Sequence, residues 1–249
     1  MSACRLALIT ALFLSIGGAD PLWAEERTAV DGWPTFAVGK VNVRGGGFCT
    51  ATLVAPDRML TAAHCLRDAS GRWYHPTRLM VELSPHRDGR KGHAPVRAIV
   101  PAPGLTFAAD GRADDPARNW AVLELNTGGR RDARVQPVPL ASPTDRDSLG
   151  DDSVFTLVAF TPQRPFVATM AEGCRLLQIR GEPRLLLHDC AATAAVAGAP
   201  VFTDTGAGPI LVGIQIGTGS LDGEPVGVAA MLERILDPGV LLDGRTDNP

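Results

Sequence analysis

Short apolar runs closed off by glycine and proline recur from one end of this chain to the other, and runs of that length form strands. Phe36 to Val43, Cys49 to Val54, Arg58 to Ala62, Leu79 to Leu83 and Trp120 to Leu125 form one group. Ser153 to Phe160, Arg175 to Ile179, Arg184 to His188, Pro200 to Thr203 and Ile210 to Ile216 form a second. The 27 glycines and 20 prolines fall largely between these runs, where turns need left-handed or fixed backbone angles. Many short strands with frequent turn signals specify an all-β sandwich or barrel. A single helical pattern, Val228 to Leu236, stands near the end. The polar, turn-rich stretch 126–150 separates the two groups, so two lobes are expected, and 101–118 reads as a long surface loop.

Residues 1–24 are of a different kind. Arg5 precedes an apolar run from Leu6 to Ile16, followed by Gly17-Gly18-Ala19 and a second candidate cleavage point after Ala24. That order is the layout of a secretory signal peptide, and the run is shorter than the ~20 apolar residues of a membrane helix. The expected product is an exported domain, residues 25–249, secreted or periplasmic and free of the membrane after cleavage. Lys40 and Lys91 are the only lysines, and the alanine- and arginine-rich composition together with export points to a bacterium. A formal net charge of −3 leaves no electrostatic footprint for nucleic acid.

Cys4 leaves with the leader, so Cys49, Cys65, Cys174 and Cys190 remain. In an exported chain an even number reads as disulfides; three pairings are allowed, and spacing does not choose among them. Zinc is the rival, but no pair has the short spacing of a structural zinc site. His75, His86, His93 and His188 show no ligand spacing either, so neither metal nor cofactor is expected.

The most informative segment runs from Phe48-Cys49-Thr50 through a turn at Pro56-Asp57 into Thr61-Ala62-Ala63-His64-Cys65. It resembles the first catalytic motif of the trypsin/chymotrypsin-like serine proteases. Three further segments resemble that family in the same order. "NWAVLEL" (Asn119 to Leu125) is similar to the strand that carries the catalytic aspartate, and "DCAATAAVAGAPVF" (Asp189 to Phe202) to the nucleophile loop of secreted bacterial members. "GPILVGIQIG" (Gly208 to Gly217) is similar to the strand that lines the specificity pocket and pairs with substrate. The resemblance covers about residues 30–240. It implies two six-stranded antiparallel β-barrels, about 33–130 and 140–240, with a short C-terminal helix at Val228 to Leu236. It also implies the disulfides Cys49–Cys65 and Cys174–Cys190.

The same resemblance marks where the chain departs from the family. His64 occupies the general-base position, but the aspartate position holds Asn119. The serine position, anchored by Gly198-Ala199-Pro200, holds Ala197, and the oxyanion-hole positions are Ala195 and Ala197, with Val196 between them. Acyl transfer needs a nucleophilic oxygen, a histidine to take its proton and a carboxylate to fix the histidine tautomer. Alanine offers no nucleophile, and an amide at the aspartate position costs a trypsin about 10⁴ in turnover. No serine occurs from Val154 to Gly219, so no slip of register restores one. Ser153 and Ser220 lie outside the motif, Thr193 matches a family threonine that is not the nucleophile, and Asp114 and Asp115 precede the strand.

The expectation is a catalytically degenerate, exported family member. It would act as a pseudoprotease whose cleft, with Gln215 and its neighbours, holds an extended peptide or protein ligand by strand pairing. The alternative is a serine-type endopeptidase with residual or rewired activity using His64 as a lone base, since an oxyanion hole and binding alone retain about 10³–10⁴ over water. The bland reading of His64 is a structural remnant beside Cys65.

Overall fold

In a computed structural model the described residues are 28–29, 34–83, 92–127, 135–190 and 196–232. The leader at 1–24, His86, Thr193 and Ala195 therefore lie outside them. Strands dominate. The first seven are β1 (Thr28–Ala29), β2 (Val38–Val43), β3 (Phe48–Ala55), β4 (Arg58–Ala62), β5 (Leu79–Leu83), β6 (Gly92–Pro101) and β7 (Trp120–Leu125). The next six are β8 (Val154–Thr161), β9 (Arg164–Arg180), β10 (Leu185–His188), β11 (Pro200–Asp204), β12 (Pro209–Leu221) and β13 (Glu224–Met231).

Two barrels result. In β5 the alternation predicted by a pleated strand is plain: Leu79, Val81 and Leu83 face inward, while Met80 is exposed. The order β2-β3-β4-β7-β6-β5 closes on itself, because β2 also pairs with β5, Val41 opposite Val81. The second ring runs β8-β9-β10-β13-β12-β11 and closes through Val201 of β11 opposite Leu157 of β8. β1 adds to β9, Thr28 opposite Met170. Closure leaves no free sheet edge within either ring. Both disulfides form as the family resemblance implies, Cys49–Cys65 and Cys174–Cys190.

The two barrels share an apolar seam. Leu53, Met59, Leu60 and Leu123 of the first pack in one cluster with Val158, Phe160, Phe202 and Ile214 of the second. The connecting segment follows this seam: Val138 donates its amide to Leu53 at 3.0 Å, and Ala141 donates to Leu211 at 2.9 Å. It ends in a short helix, α1 (Pro143–Asp147), that starts where a capping box says it should. The Ser142 hydroxyl accepts from the Asp145 amide, and the Asp145 carboxylate accepts from the Ser142 amide. Among the described residues no helix is long and apolar enough to cross a membrane.

One expectation needs correction. Val228 to Met231 do not begin a helix; they complete β13, with Val228 opposite Leu187 of β10 and Gly217 of β12. Lying between two neighbours, this stretch is buried at nearly every position. A continuous apolar run of that kind does not separate strand from helix by periodicity. Residues 233–236 lie outside the described residues. β6 and the first half of β9 are also strands that lie outside the apolar runs named above, β6 carrying Pro95 and Pro101 within its length.

Candidate functional site

β4 ends at Ala62, and the chain turns directly into a 3-10 turn, Ala63–Leu66, that carries His64. Asn119 closes another 3-10 turn, Pro116–Arg118, just before β7. Since β4 and β7 are paired with Ala62 opposite Trp120, the residues beyond those strand ends are brought together. The Ala63 amide donates to the Asn119 carbonyl at 3.1 Å, which ties the two turns by backbone alone.

Two side-chain contacts then set the chemistry of His64. Its backbone amide donates to Asn119 Oδ1 at 3.0 Å, while Asn119 Nδ2 lies 2.9 Å from His64 Nδ1. A backbone N–H can only donate, so the atom facing it is the amide oxygen and the NH2 faces the ring. Nδ1 is therefore the acceptor, and the neutral imidazole carries its proton on Nε2. Burial pushes the His64 pKa below its ordinary 6.5, and a hydrogen bond with Asn119 works in the opposite direction. That opposing effect requires the amide to turn its oxygen toward a protonated Nδ1 and give up the His64 amide. The Nε2 atom is 3.8 Å from the Cys65 sulfur. In this geometry His64 is a neutral donor at Nε2 and not a base there.

Ala197 lies on the same seam. Val196, Ala197 and Ala199 are buried, and Gly198 between them has φ 80°. A side chain at Gly198 would run into the Thr50 carbonyl and the Thr61 hydroxyl. Thr50 donates its amide to the Ala197 carbonyl at 3.0 Å, and Gly198 donates to Gln215 at 2.7 Å. The segment is thus pressed onto β3 beside Cys49, whose disulfide partner Cys65 follows His64. His64 and Asn119 are in direct contact, Ala197 is joined to their turn through Thr50, Cys49 and the Cys49–Cys65 bond, and the Ala197 methyl carries no atom that could act as a nucleophile.

Other residues singled out in the sequence lie elsewhere. Asp115 caps its own turn, accepting from Ala117 at 3.0 Å and from Arg118 Nε at 3.0 Å. The Ser153 hydroxyl accepts from the Gly150 amide at 2.9 Å. Gln215 is a correction: it is fully buried, with Oε1 2.8 Å from Nε2 of the equally buried His188 and its Nε2 donating to Gly217. Its amide donates to Ala199 and its carbonyl accepts from Gly198, so Gln215 itself has no backbone group open to a peptide. Among the described residues no group of three or more His, Cys, Asp or Glu is placed to hold a metal.

A feature absent from the sequence reading lies beside His64. Two miniature hairpins, 67–73 and 107–113, have stems joined by the bridges Arg67↔Trp73 and Phe107↔Ala113. Each turns on a glycine followed by arginine: Gly71 (φ 79°) and Arg72 in one, Gly111 (φ 83°) and Arg112 in the other. In each, an aspartate accepts from the arginine amide at 3.0 Å and pairs with its Nε, Asp68 with Arg72 and Asp110 with Arg112. The stems lock together through Trp73 edge-on to Phe107 at 6.0 Å and the Arg67 guanidinium 3.6 Å above Phe107. Between the tips lies a cavity of about 450 Å³ lined by His64, by the charged Arg67, Asp68 and Asp110, and by small residues of both hairpins. The repeated Gly-Arg ending of "DASGR" and "AADGR" was the available signal. Compared with known protein families, residues 49–214 match the trypsin-like peptidase domain.

Proposed function

Because the chain belongs to the trypsin-like peptidase family, we propose that it is an exported member that has lost the catalytic serine and aspartate and binds peptide or protein segments without cutting them. The observation that carries this reading is the Asn119 amide, which is held by the His64 backbone so that it donates to Nδ1. A histidine with its proton on Nε2 has nothing with which to accept a proton from a nucleophile on the cleft side. Ala197 at the serine position removes the nucleophile as well. Two disulfides suit an oxidising compartment and support export.

The test is peptide-bond hydrolysis by the mature protein on an unbiased peptide pool. Three proteins run side by side: wild type, His64→Ala, and a restored variant, Asn119→Asp/Ala195→Gly/Val196→Ser/Ala197→Ser. Silence from wild type with cleavage by the restored variant is the expected result. Cleavage by wild type that disappears in His64→Ala would sink this reading in favour of a rewired hydrolase.

A further inference from the structure

Both ring nitrogens of His64 have partners, and the second partner is a disulfide. Nε2 lies 3.8 Å from the Cys65 sulfur. Cys65 is joined to Cys49, and a disulfide sulfur has no hydrogen to give, so Nε2 can only donate there. The Asn119 contact demands the same tautomer, with Nδ1 as acceptor and the proton on Nε2. Two independent contacts thus aim one N–H at one sulfur. An aspartate at 119 would accept from Nδ1–H, and a neutral ring would then turn a lone pair toward the sulfur instead.

The two disulfides also differ in access. Cys174 and Cys190 are each 5% exposed, whereas Cys49 and Cys65 are half-buried, so a small thiol meets the second pair from solvent. Thiol–disulfide exchange is a displacement at sulfur, and the better-stabilised thiolate is the better leaving group. A donor already directed at Cys65 stabilises its thiolate, so attack falls on Cys49 and Cys65 departs. The bond carries the geometry of the site as well. Cys65 sits in the 3-10 turn with His64, and Cys49 adjoins Thr50, whose amide holds the Ala197 carbonyl at 3.0 Å. The disulfide ties the His64 turn covalently to the strand that holds Ala197.

We infer that Cys49–Cys65 is a redox-sensitive lock on the cleft, opened by a dithiol through attack on Cys49 with Cys65 leaving as a thiolate held by His64 Nε2–H. The dithiol enters as its monoanion. Its thiolate bonds to the Cys49 sulfur as the Cys49–Cys65 bond breaks. Its second thiol then displaces Cys49, and the proton of that thiol passes to the Cys49 sulfur. The dithiol is oxidised to its own disulfide, and the protein gains two electrons as one thiol and one thiolate. The inference goes beyond the peptide-binding reading and does not depend on it.

The experiment treats the folded mature protein with dithiothreitol in the absence of denaturant, quenches with N-ethylmaleimide at timed intervals and maps the labelled cysteines by peptide mass. Cys49 and Cys65 should be labelled at least about tenfold faster than Cys174 and Cys190. With glutathione, a monothiol, the trapped mixed disulfide should sit on Cys49. His64→Leu should slow opening by about tenfold, and His64→Gln, which keeps an N–H donor, should recover most of the rate. Melting curves guard against a folding defect, and the glutathione position in wild type stands on its own if His64→Leu is unstable. After opening, hydrogen exchange at the Thr50 amide should speed up by about tenfold while the β8–β9 pairing keeps its protection. Equal opening of the two disulfides, or Cys174–Cys190 opening first, overturns the lock. Glutathione on Cys65, or a folded His64→Leu that opens at the wild-type rate, overturns the assignment of Cys65 as the leaving group held by His64. Unchanged protection at Thr50 would show a bond that opens without loosening the site, and the lock would fall.

Discussion

Asn119 differs from an aspartate by a single side-chain group, and that group decides where the His64 proton sits. With an NH2 against Nδ1, the ring is held neutral by its partner as well as by burial. The His64 resonance in a proton NMR titration should therefore have its midpoint below 6.5. Asn119→Asp should raise it by about one to three pH units, because a carboxylate accepts from Nδ1–H and favours the charged ring. The sign carries over to stability. The unfolded chain takes up this proton near 6.5 and the folded wild type does so only at lower pH, so the His64 contribution is intact above 6.5 and lost as pH falls below it. In Asn119→Asp that loss at low pH shrinks as the midpoint rises toward 6.5, and once the midpoint passes 6.5 the sign inverts and the contribution is lost as pH rises through it. A wild-type midpoint at or above 6.5 would contradict the donor geometry. The positions of His64, Asn119 and Ala197 are marked in the sequence by the family motifs around them, and the structure adds the contact between His64 and Asn119. The tautomer is not legible there, since it depends on the direction of one backbone amide. Nor is the inward turn of Gln215, whose partner His188 lies on a different strand.

Elements here are fixed by close approach as much as by apolar pattern. The turn holding Ala197 lies against β3 only because Gly198, at φ 80°, presents no Cβ to the Thr50 carbonyl. Gly111 has almost the same angle, φ 83°, but faces open space. The two glycines separate backbone strain from steric clash. Gly111→Ala should cost about 1 kcal/mol, the price of a left-handed alanine. Gly198→Ala should cost at least about 3 kcal/mol, because overpacking adds to that strain. Urea midpoints at unchanged m-values would show the difference; equal losses would mean the turn can lift off β3. This scale also explains what the sequence concealed. β13 reads as helical because neighbours on both sides bury nearly all of it, and β6 is silent because prolines interrupt it. The hairpins at 67–73 and 107–113 are too short for periodicity, and their partnership is between segments far apart in sequence.

The two barrels are joined by more than apolar contact. Lys40 on β2 is almost fully buried, paired with Glu82 of β5 at 2.8 Å, and it donates to the carbonyl of Pro165 on β9 at 2.7 Å. Its ammonium lies 5.0 Å from the ring centre of Phe48 and 5.2 Å from that of Phe166. One cation thus bonds within the first barrel and to the β8–β9 hairpin of the second, with an aromatic ring from each side over it. A buried ion pair contributes little net stability relative to a well-packed apolar pair, but removing one member is costly. Lys40→Ala should therefore lower stability by about 3 kcal/mol, since it strips Glu82 of this partner and opens space among the phenylalanines. Lys40→Met with Glu82→Leu should recover most of the loss. The location of the damage is the sharper criterion. If Lys40 joins the barrels, hydrogen exchange in Lys40→Ala should speed up at Phe160, whose amide donates to the Thr50 hydroxyl across the seam at 3.2 Å. The β4–β7 pairing inside the first barrel should stay protected. Faster exchange confined to β2 and β5 would instead make Lys40 a component of one barrel that merely touches the other. The distinction bears on function, because Ala197 is held against Thr50 of the first barrel while its own turn leans on Gln215 of the second. A cleft assembled from both barrels keeps its shape only while that seam is closed.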